Sequence, residues 1–476
     1  MRMHFALLAL SLFAPRALAQ SLPELGDTSG ALLSPQMERK IGEQAMRDIR
    51  LHDPNFIDDP ELTEYVNTVG RRIVAASPEA RQGFEFFLIQ DNSVNAFAMP
   101  GGFVGVNTGL LRSAQTESEL AGVLAHEVAH VTQHHIARLI GKQEQSTIPT
   151  IAALVVAMLA ARSNPDVAQA AIMITGASNI QSQLNYSRDF EREADRIGFQ
   201  TLERSAFDVN GMATFFERLQ KATSLYEGGA PVYLRTHPLS TERIADMQNR
   251  AQDAVYKQVP DSIEFYLVRA RLRAEDGLPA EAIAHFDEQV RERRYASEAA
   301  ARYGLASALV RARSFARAAD EVEALRKLIG AHPMVELLAA RVRTGAGNPV
   351  GAQEVLRAAL GVSPGYRPLH YAHIEALQNL GQHQMAIAAL GDLVKIYPQD
   401  VRFYGLQAKS YTALGKRLLQ HQALAEVYFL QGTLPAAIEQ LQLAQKSGDG
   451  DFYQQSSVEA RLRNLRALQT EEARRR

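Results

Sequence analysis

The strongest limit on how this 476-residue chain can fold is a 34-residue spacing in its second half. Gly347, Gly381 and Gly415 follow one another at that interval, Arg313 stands in the preceding slot, and Gly277 lies 36 residues before it. Other residues keep register with these slots. Ala282, Ala318, Ala352 and Ala386 come five residues after a slot, as Ala437 does after Gly432. Phe286, Val322, Leu356, Leu390 and Leu441 come nine after. Ala270, Ala306, Ala340, Ala408 and Ala425 come seven before, with Ile374 the exception. Small residues let two helices cross closely, so a register of this kind predicts stacked helix pairs.

A 34-residue period with alanine at the crossings is the signature of tetratricopeptide repeats. Pro364 and Pro398, each 17 residues after its glycine, fall where a helix should stop. The step from Gly415 to Gly432 is half a period, so the C-terminal end is expected to be degenerate, either a cap or a re-packed helix pair. The repeat domain is placed at 262–470.

The first half has a different texture. Arg2 precedes the apolar run Phe5–Ala14, and Ala17-Leu18-Ala19 offers the small residues that a signal peptidase reads. Residues 1–19 are therefore expected to be a signal peptide, with Gln20 as the mature start. There is no cysteine, which leaves an exported chain without disulfides, without a lipid-anchor thiol and without a thiol nucleophile. The formal net charge of −2 gives no global basic surface, so nucleic acid is not an expected partner. A soluble periplasmic protein fits these features.

Between 20 and 258 the pattern predicts helices around Met37–Ile49 and Glu61–Ala76, a strand at Phe84–Gln90, and two short strands around Pro100-Gly101-Gly102. Residues Gly102, Phe103, Val104, Gly105 and Val106 read either as an exposed edge onto which an extended peptide could add, or as an ordinary core hairpin. The apolar run 148–161 is too short to span a bilayer. It reads as a core helix or as an apolar hairpin touching membrane or unfolded substrate.

Chemistry is concentrated in His126-Glu127-Val128-Ala129-His130. Thr116 to Glu119 forms a capping-box pattern that opens a helix just before it. On that helix His126 and His130 lie one turn apart on one face, so both imidazoles can reach one metal ion, with Glu127 beside the open position. A hydrolytic zinc site needs three protein ligands. The best third candidate is Glu191, which opens Glu191-Arg192-Glu193-Ala194-Asp195. Asp195 lies one turn beyond and could orient a ligand imidazole, whereas Glu193 should be solvated or paired with an arginine. His134 and His135 follow in the same helix; His134 continues the four-residue spacing, but a straight helix carries it too far from the ion, and it is expected to pack or to be exposed.

His-Glu-x-x-His, Glu-x-x-Ala-Asp and the upstream Asn95-Ala96-Phe97…Pro100-Gly101-Gly102 together resemble the HtpX and prenyl-protein-type zinc metalloproteases. An exported form followed by repeats is similar to the periplasmic branch of that family, which serves outer-membrane assembly. The resemblance implies a mainly α (α+β) architecture, a helical zinc metalloprotease domain with a small β-sheet (20–258) followed by a tetratricopeptide-repeat solenoid. It implies one Zn2+ per chain held by His126, His130 and Glu191, with Glu127 as general base and Asp195 orienting a ligand. His237, in Thr236-His237-Pro238, then steadies an oxyanion, fills the fourth zinc position or caps the site structurally. It further implies proteolysis of outer-membrane β-barrel proteins in quality control, with their assembly machinery docked through the repeats. The alternative is a scaffold or chaperone whose zinc site is normally shut.

Overall fold

The computed structural model describes residues 34–140, 180–225, 233–234, 237–254 and 257–475. The expected signal segment 1–19 and the apolar run 148–161 lie outside the described residues. The described chain opens with α1 (Pro35–His52) and α2 (Pro60–Ala76), whose first turns are closed by the side chains of Ser34 and Asp59. In both, proline occupies the first helical position, where the missing N–H costs nothing.

Four strands follow this pattern: β1 (Phe56–Ile57), β2 (Glu85–Ile89), β3 (Ala96–Met99) and β4 (Phe103–Asn107), in the spatial order β1-β2-β4-β3. The β2–β4 pair is parallel and the other two are antiparallel. Alternation sorts the side chains. Phe87 and Ile89 pack with Ile41, Ala45 and Met46 of α1, whereas Phe86 and Leu88 join the main core with Leu62, Val66 and Val69 of α2.

This order corrects one expectation. Gly102–Val106 does not offer an edge, because β4 is bonded along its length to β2 on one side and to β3 on the other. All five β4 residues are buried, as a central strand requires. Gly105 is small for a local reason: a Cβ there would run into the ring of Phe97 on β3. The outer edge belongs to β3, which pairs with no second strand among the described residues.

After α3 (Thr108–Ser113) comes α4 (Glu117–Thr132), in which every residue except His130 is buried. Thr116 Oγ1 accepts from the Glu119 N–H at 3.1 Å, and Glu119 reaches back to the Gln115 N–H at 2.6 Å, one residue before the expected position of a capping box. Around α4 lie α5 (His135–Ile140), α6 (Ile180–Arg204), α7 (Asn210–Leu225) and α8 (Thr241–Asp253). The crossing of α4 and α6 is close: a Cβ on Gly198 would sit 3.1 Å from the backbone of Ala125 and His126. Glycine at that point brings the Glu191–Asp195 turn of α6 against the histidines of α4.

The second half is the expected helix stack. It comprises α9 (Ile263–Glu275), α10 (Pro279–Glu292), α11 (Glu298–Arg311), α12 (Phe315–Ile329), α13 (Pro333–Gly345), α14 (Pro349–Val362), α15 (Arg367–Asn379), α16 (His383–Ile396), α17 (Val401–Ala413), α18 (Arg417–Leu430), α19 (Leu434–Lys446) and α20 (Phe452–Arg475). Gly347, Gly381 and Gly415 turn the chain in the left-handed region, at φ 82°, 71° and 67°. Arg313 takes the same conformation at φ 58°. The register alanines Ala282, Ala318, Ala352, Ala386 and Ala437 are all buried at the crossings. At the half-period step the turn at Gly432 repeats the geometry, and α18 serves as the second helix of one pair and the first of the next.

The stack is keyed to the N-terminus of α2. Arg271 on α9 reaches Asp59 and Glu61, Tyr303 on α11 and Arg341 on α13 reach Glu61, Arg367 on α15 reaches Glu64, and Arg402 on α17 reaches Asp58. Five successive first helices thus each send one polar side chain to residues 58–64. Farther along, Arg47 of α1 donates to the Gly432 carbonyl at 2.8 Å. Glu61 is 1% exposed, and three donors satisfy its carboxylate. Removing a donor leaves a buried charge short of a partner, which costs far more than a surface pair.

Replacing Arg271 by alanine is expected to destabilise the protein by about 3 kcal/mol at pH 7, read by thermal unfolding. Burial pushes the Asp59 carboxyl up, but the Arg271 guanidinium and the Leu62 N–H more than offset it and hold the pKa below its ordinary value. A depressed folded pKa contributes stability above the unfolded value and loses it as pH falls through the folded one. The gap between wild type and Arg271→Ala should therefore narrow as pH drops below about 4.

Candidate metal centre

Three elements meet at one point. α4 supplies His126, Glu127 and His130, α6 supplies Glu191 and Asp195, and the chain leading into α8 supplies His237. His126 Nε2 lies 3.0 Å from His130 Nε2 and 3.3 Å from His237 Nδ1. The Glu191 oxygens stand 3.1 Å from His237 Nδ1 and 3.4 Å from the two Nε2 atoms of α4. Tetrahedral coordination with bonds of about 2.0–2.1 Å has ligand–ligand edges of about 3.3 Å. The four donors match that spacing, and three nitrogens with one carboxylate form a donor set that can hold a divalent metal.

The electrostatics of the cluster favour positive charge at this point. Burial disfavours a charged His126, yet the carboxylates of Asp195 and Glu191 outweigh it and push its pKa up to about 9. Burial alone would raise the pKa of Glu191, but His237, His126 and His130 hold it well below the usual carboxylate range. A proton on His126 thus satisfies the same carboxylates that a metal ion would. Both carboxylate oxygens of Glu127 are buried without a hydrogen-bond donor among the described residues, and His237 Nε2 lies 3.4 Å from Oε1. Burying a carboxylate without a hydrogen-bond donor is costly, and the His237 ring is a polar group that faces it.

Asp195 and Arg243 hold the cluster in place. His126 Nδ1 lies 3.0 Å from Asp195 Oδ1, so Nε2 faces the other donors. Arg243 of α8 grips Asp195 with Nε at 2.6 Å and a second nitrogen at 2.8 Å, stands 3.1 Å from Glu191 Oε2, and donates to the Pro238 carbonyl at 2.7 Å. The guanidinium therefore ties the peptide after His237 to the helix bearing Glu191. The His237 ring stacks on buried Tyr233 at 4.6 Å, and the backbone N–H of His237 donates to the Tyr233 carbonyl.

Most of the residues singled out in the sequence converge here. Asp195 faces His126 as expected, and Glu193 pairs with Arg138. His134 lies outside the cluster: α4 ends at Thr132, His134 adopts φ 53°, and its Nδ1 meets Glu38 of α1 at 2.7 Å. Residues 235–236, which precede His237, lie outside the described residues. Arg243 and Tyr233 were not singled out. Arg243, one residue after Glu242 in the first turn of α8, looks in sequence like an ordinary surface arginine. Loss of the Arg243 side chain would leave Asp195 and Glu191 buried without their cation. Arg243→Ala is expected to lower metal-free stability by about 3–5 kcal/mol and metal affinity by about 10–100-fold, read by thermal unfolding in chelator and by metal titration. Arg243→Lys, which cannot make the forked contact, should fall between the two.

Comparison with known proteins supplies the family. Residues 60–251 match the model of peptidase family M48, and residues 343–410 match a tetratricopeptide-repeat model. The chain is 33% identical over 459 residues to the β-barrel assembly-enhancing protease of Escherichia coli (strain K12), covering 95% of this chain and 92% of that one. It is 42% identical over 274 residues to a putative β-barrel assembly-enhancing protease of Vibrio cholerae, 56% of each chain. The mitochondrial metalloendopeptidase OMA1 of Schizosaccharomyces pombe is 35% identical over 228 residues, 48% of this chain and 64% of that one. Matched by the M48 model over residues 60–251 and 33% identical to a named protease along nearly its whole length, the chain belongs to the metalloendopeptidases of peptidase family M48.

Proposed function

We propose that this chain is a zinc-dependent endopeptidase of the periplasm that acts in quality control and assembly of outer-membrane β-barrel proteins and docks protein clients or assembly factors through its repeats. The chemistry rests on one observation, the spacing of His126, His130, Glu191 and His237 beside an unpartnered Glu127. The three nitrogens and one carboxylate fit zinc better than an oxygen-seeking cation. The biological setting rests on the names of full-length relatives and on the export signal expected at 1–19. No helix among the described residues is long and apolar enough to cross a membrane.

A bound zinc ion supplies Lewis-acid polarisation of a peptide carbonyl and acidifies a water molecule. Glu127 takes the water proton and returns it to the leaving nitrogen; among the described residues no hydrogen-bond donor engages its carboxylate. The peptide extends along the outer edge of β3, beside α4, in place of the β4 edge expected from sequence. Asn95, at the start of that edge, is 3% exposed with an unpartnered Oδ1 that can accept a substrate N–H. On the inner face of the repeats a cavity of about 520 Å3, lined by Arg313, Tyr371, Glu375 and Asn379 among others, leaves room for a client segment beside the α2 key.

His237 Nδ1 occupies the place of a fourth donor, which favours a latent enzyme that opens when the chain around residue 237 moves. Purified protein is expected to carry one zinc per chain. Glu127→Gln should retain that zinc and lose about 10²–10⁴-fold in peptide cleavage; retention of full cleavage would remove Glu127 from the reaction. In cells, Glu127→Gln should fail to replace the wild type in β-barrel assembly, whereas a scaffold would be largely spared. His237→Ala should raise cleavage of an unstructured protein substrate; a loss of about 10²-fold would instead place His237 on the oxyanion.

A further inference from the structure

We propose that His135 fixes the ring tautomer of His130 through a chain of three side chains, Glu193–His135–His130, and so aims the His130 lone pair at the metal position. The inference rests on the reading that His126, His130, Glu191 and His237 hold a metal ion. It assigns a positioning function to a residue that sequence alone leaves without one.

The backbone break after α4 makes the contact possible. α4 ends at Thr132, His134 reverses the chain at φ 53°, and α5 starts at His135. The reversal returns His135 to the flank of His130, with ring centroids 4.8 Å apart. His135 is 2% exposed, and its other face stacks on Phe190 of α6 at 4.2 Å and 14°. Packing fixes the ring plane, so its two nitrogens have set partners. Nε2 lies 3.1 Å from Glu193 Oε2, and Nδ1 lies 2.9 Å from His130 Nδ1. Arg138 donates to the same Glu193 oxygen at 2.8 Å.

Proton positions along this chain follow from valence. The Glu193 carboxylate, paired with Arg138, only accepts, so His135 Nε2 must carry the hydrogen. An imidazole with one ring proton is then bare at Nδ1 and accepts. His130 Nδ1 must donate to it, which leaves His130 Nε2 unprotonated. That atom faces His126 Nε2 at 3.0 Å and Glu191 at 3.4 Å, at the point where the four donors meet. His126 is oriented by a carboxylate directly, through Asp195 at 3.0 Å. For His130 the orienting carboxylate stands one imidazole farther out, on the same helix turn as Asp195.

Two variants of the full-length protein separate positioning from packing. Asparagine at 135 places its amide oxygen near the Nδ1 position and can still accept from His130, whereas glutamine reaches the Nε2 position, meets Glu193 and abandons His130. Both lose the same stacked ring. Zinc affinity by chelator competition should fall about 10–100-fold in His135→Gln and stay within about threefold of wild type in His135→Asn. Equal losses, no loss in either, or a larger loss in His135→Asn would overturn the proposal. Should both variants misfold, Glu193→Gln at a partly exposed position decides, because its amide lets His135 take the opposite tautomer. Severalfold weaker zinc binding is expected, and wild-type affinity would overturn the proposal. If wild-type protein binds no zinc, the metal reading fails separately. The tautomer is then read from imidazole 15N shifts of the metal-free protein, where a hydrogen on His130 Nδ1 is expected and one on Nε2 overturns the inference.

Discussion

The site depends on one buried carboxylate. Asp195 accepts from both arms of the Arg243 fork and lies against His126 Nδ1, so a single side chain joins α4, α6 and α8. Burial would by itself push the Asp195 carboxyl up, but Arg243 and His126 hold its pKa below the ordinary value. None of the three groups is stable there without the others, because each would be a polar or charged side chain removed from water. Arg243 also holds the Pro238 carbonyl, so the position of His237 is set by the same hub. His237 and the two helices that carry His126 and Glu191 are therefore coupled through hydrogen bonds.

The repeats are part of the same construction. α2 packs on the sheet and on α4 by its apolar face, while its acidic N-terminus is gripped by Arg271, Tyr303 and Arg341 from three repeat helices. At the other end, Asp261 in the segment leading into α9 accepts from the Glu117 N–H at 2.7 Å, and Ser262 donates to the Glu117 carboxylate at 2.6 Å. The first turn of the helix carrying His126 is thus closed partly by residues that begin the repeat domain. The start of the solenoid is hydrogen-bonded directly to the first turn of α4.

Local spacing made much of this legible from sequence. His126, Glu127 and His130 lie within five residues, and Glu191 and Asp195 one turn apart, so helical geometry alone puts each set on one face. The repeat register was equally plain, because the same alanine recurs at each crossing. The parts that escaped are long-range. Arg243 and His126 are 117 positions apart in the numbering, and nothing local distinguishes Arg243 from a surface arginine. The apolar run of β4 suits an edge or a centre equally well, and its position was decided by the parallel pairing with β2. His135 is not legible either, because His134-His135 continues the helical pattern in sequence, whereas the left-handed turn at His134 sends the two side chains to different partners.

The proposed zinc centre stands or falls on where the ion sits. Crystals of the full-length protein, grown without added metal and measured on both sides of the zinc absorption edge, locate it directly. The account predicts one anomalous peak per chain, bounded by His126 Nε2, His130 Nε2, a Glu191 oxygen and His237 Nδ1. A fully ordered site with no peak, or a peak held without Glu191, would contradict it.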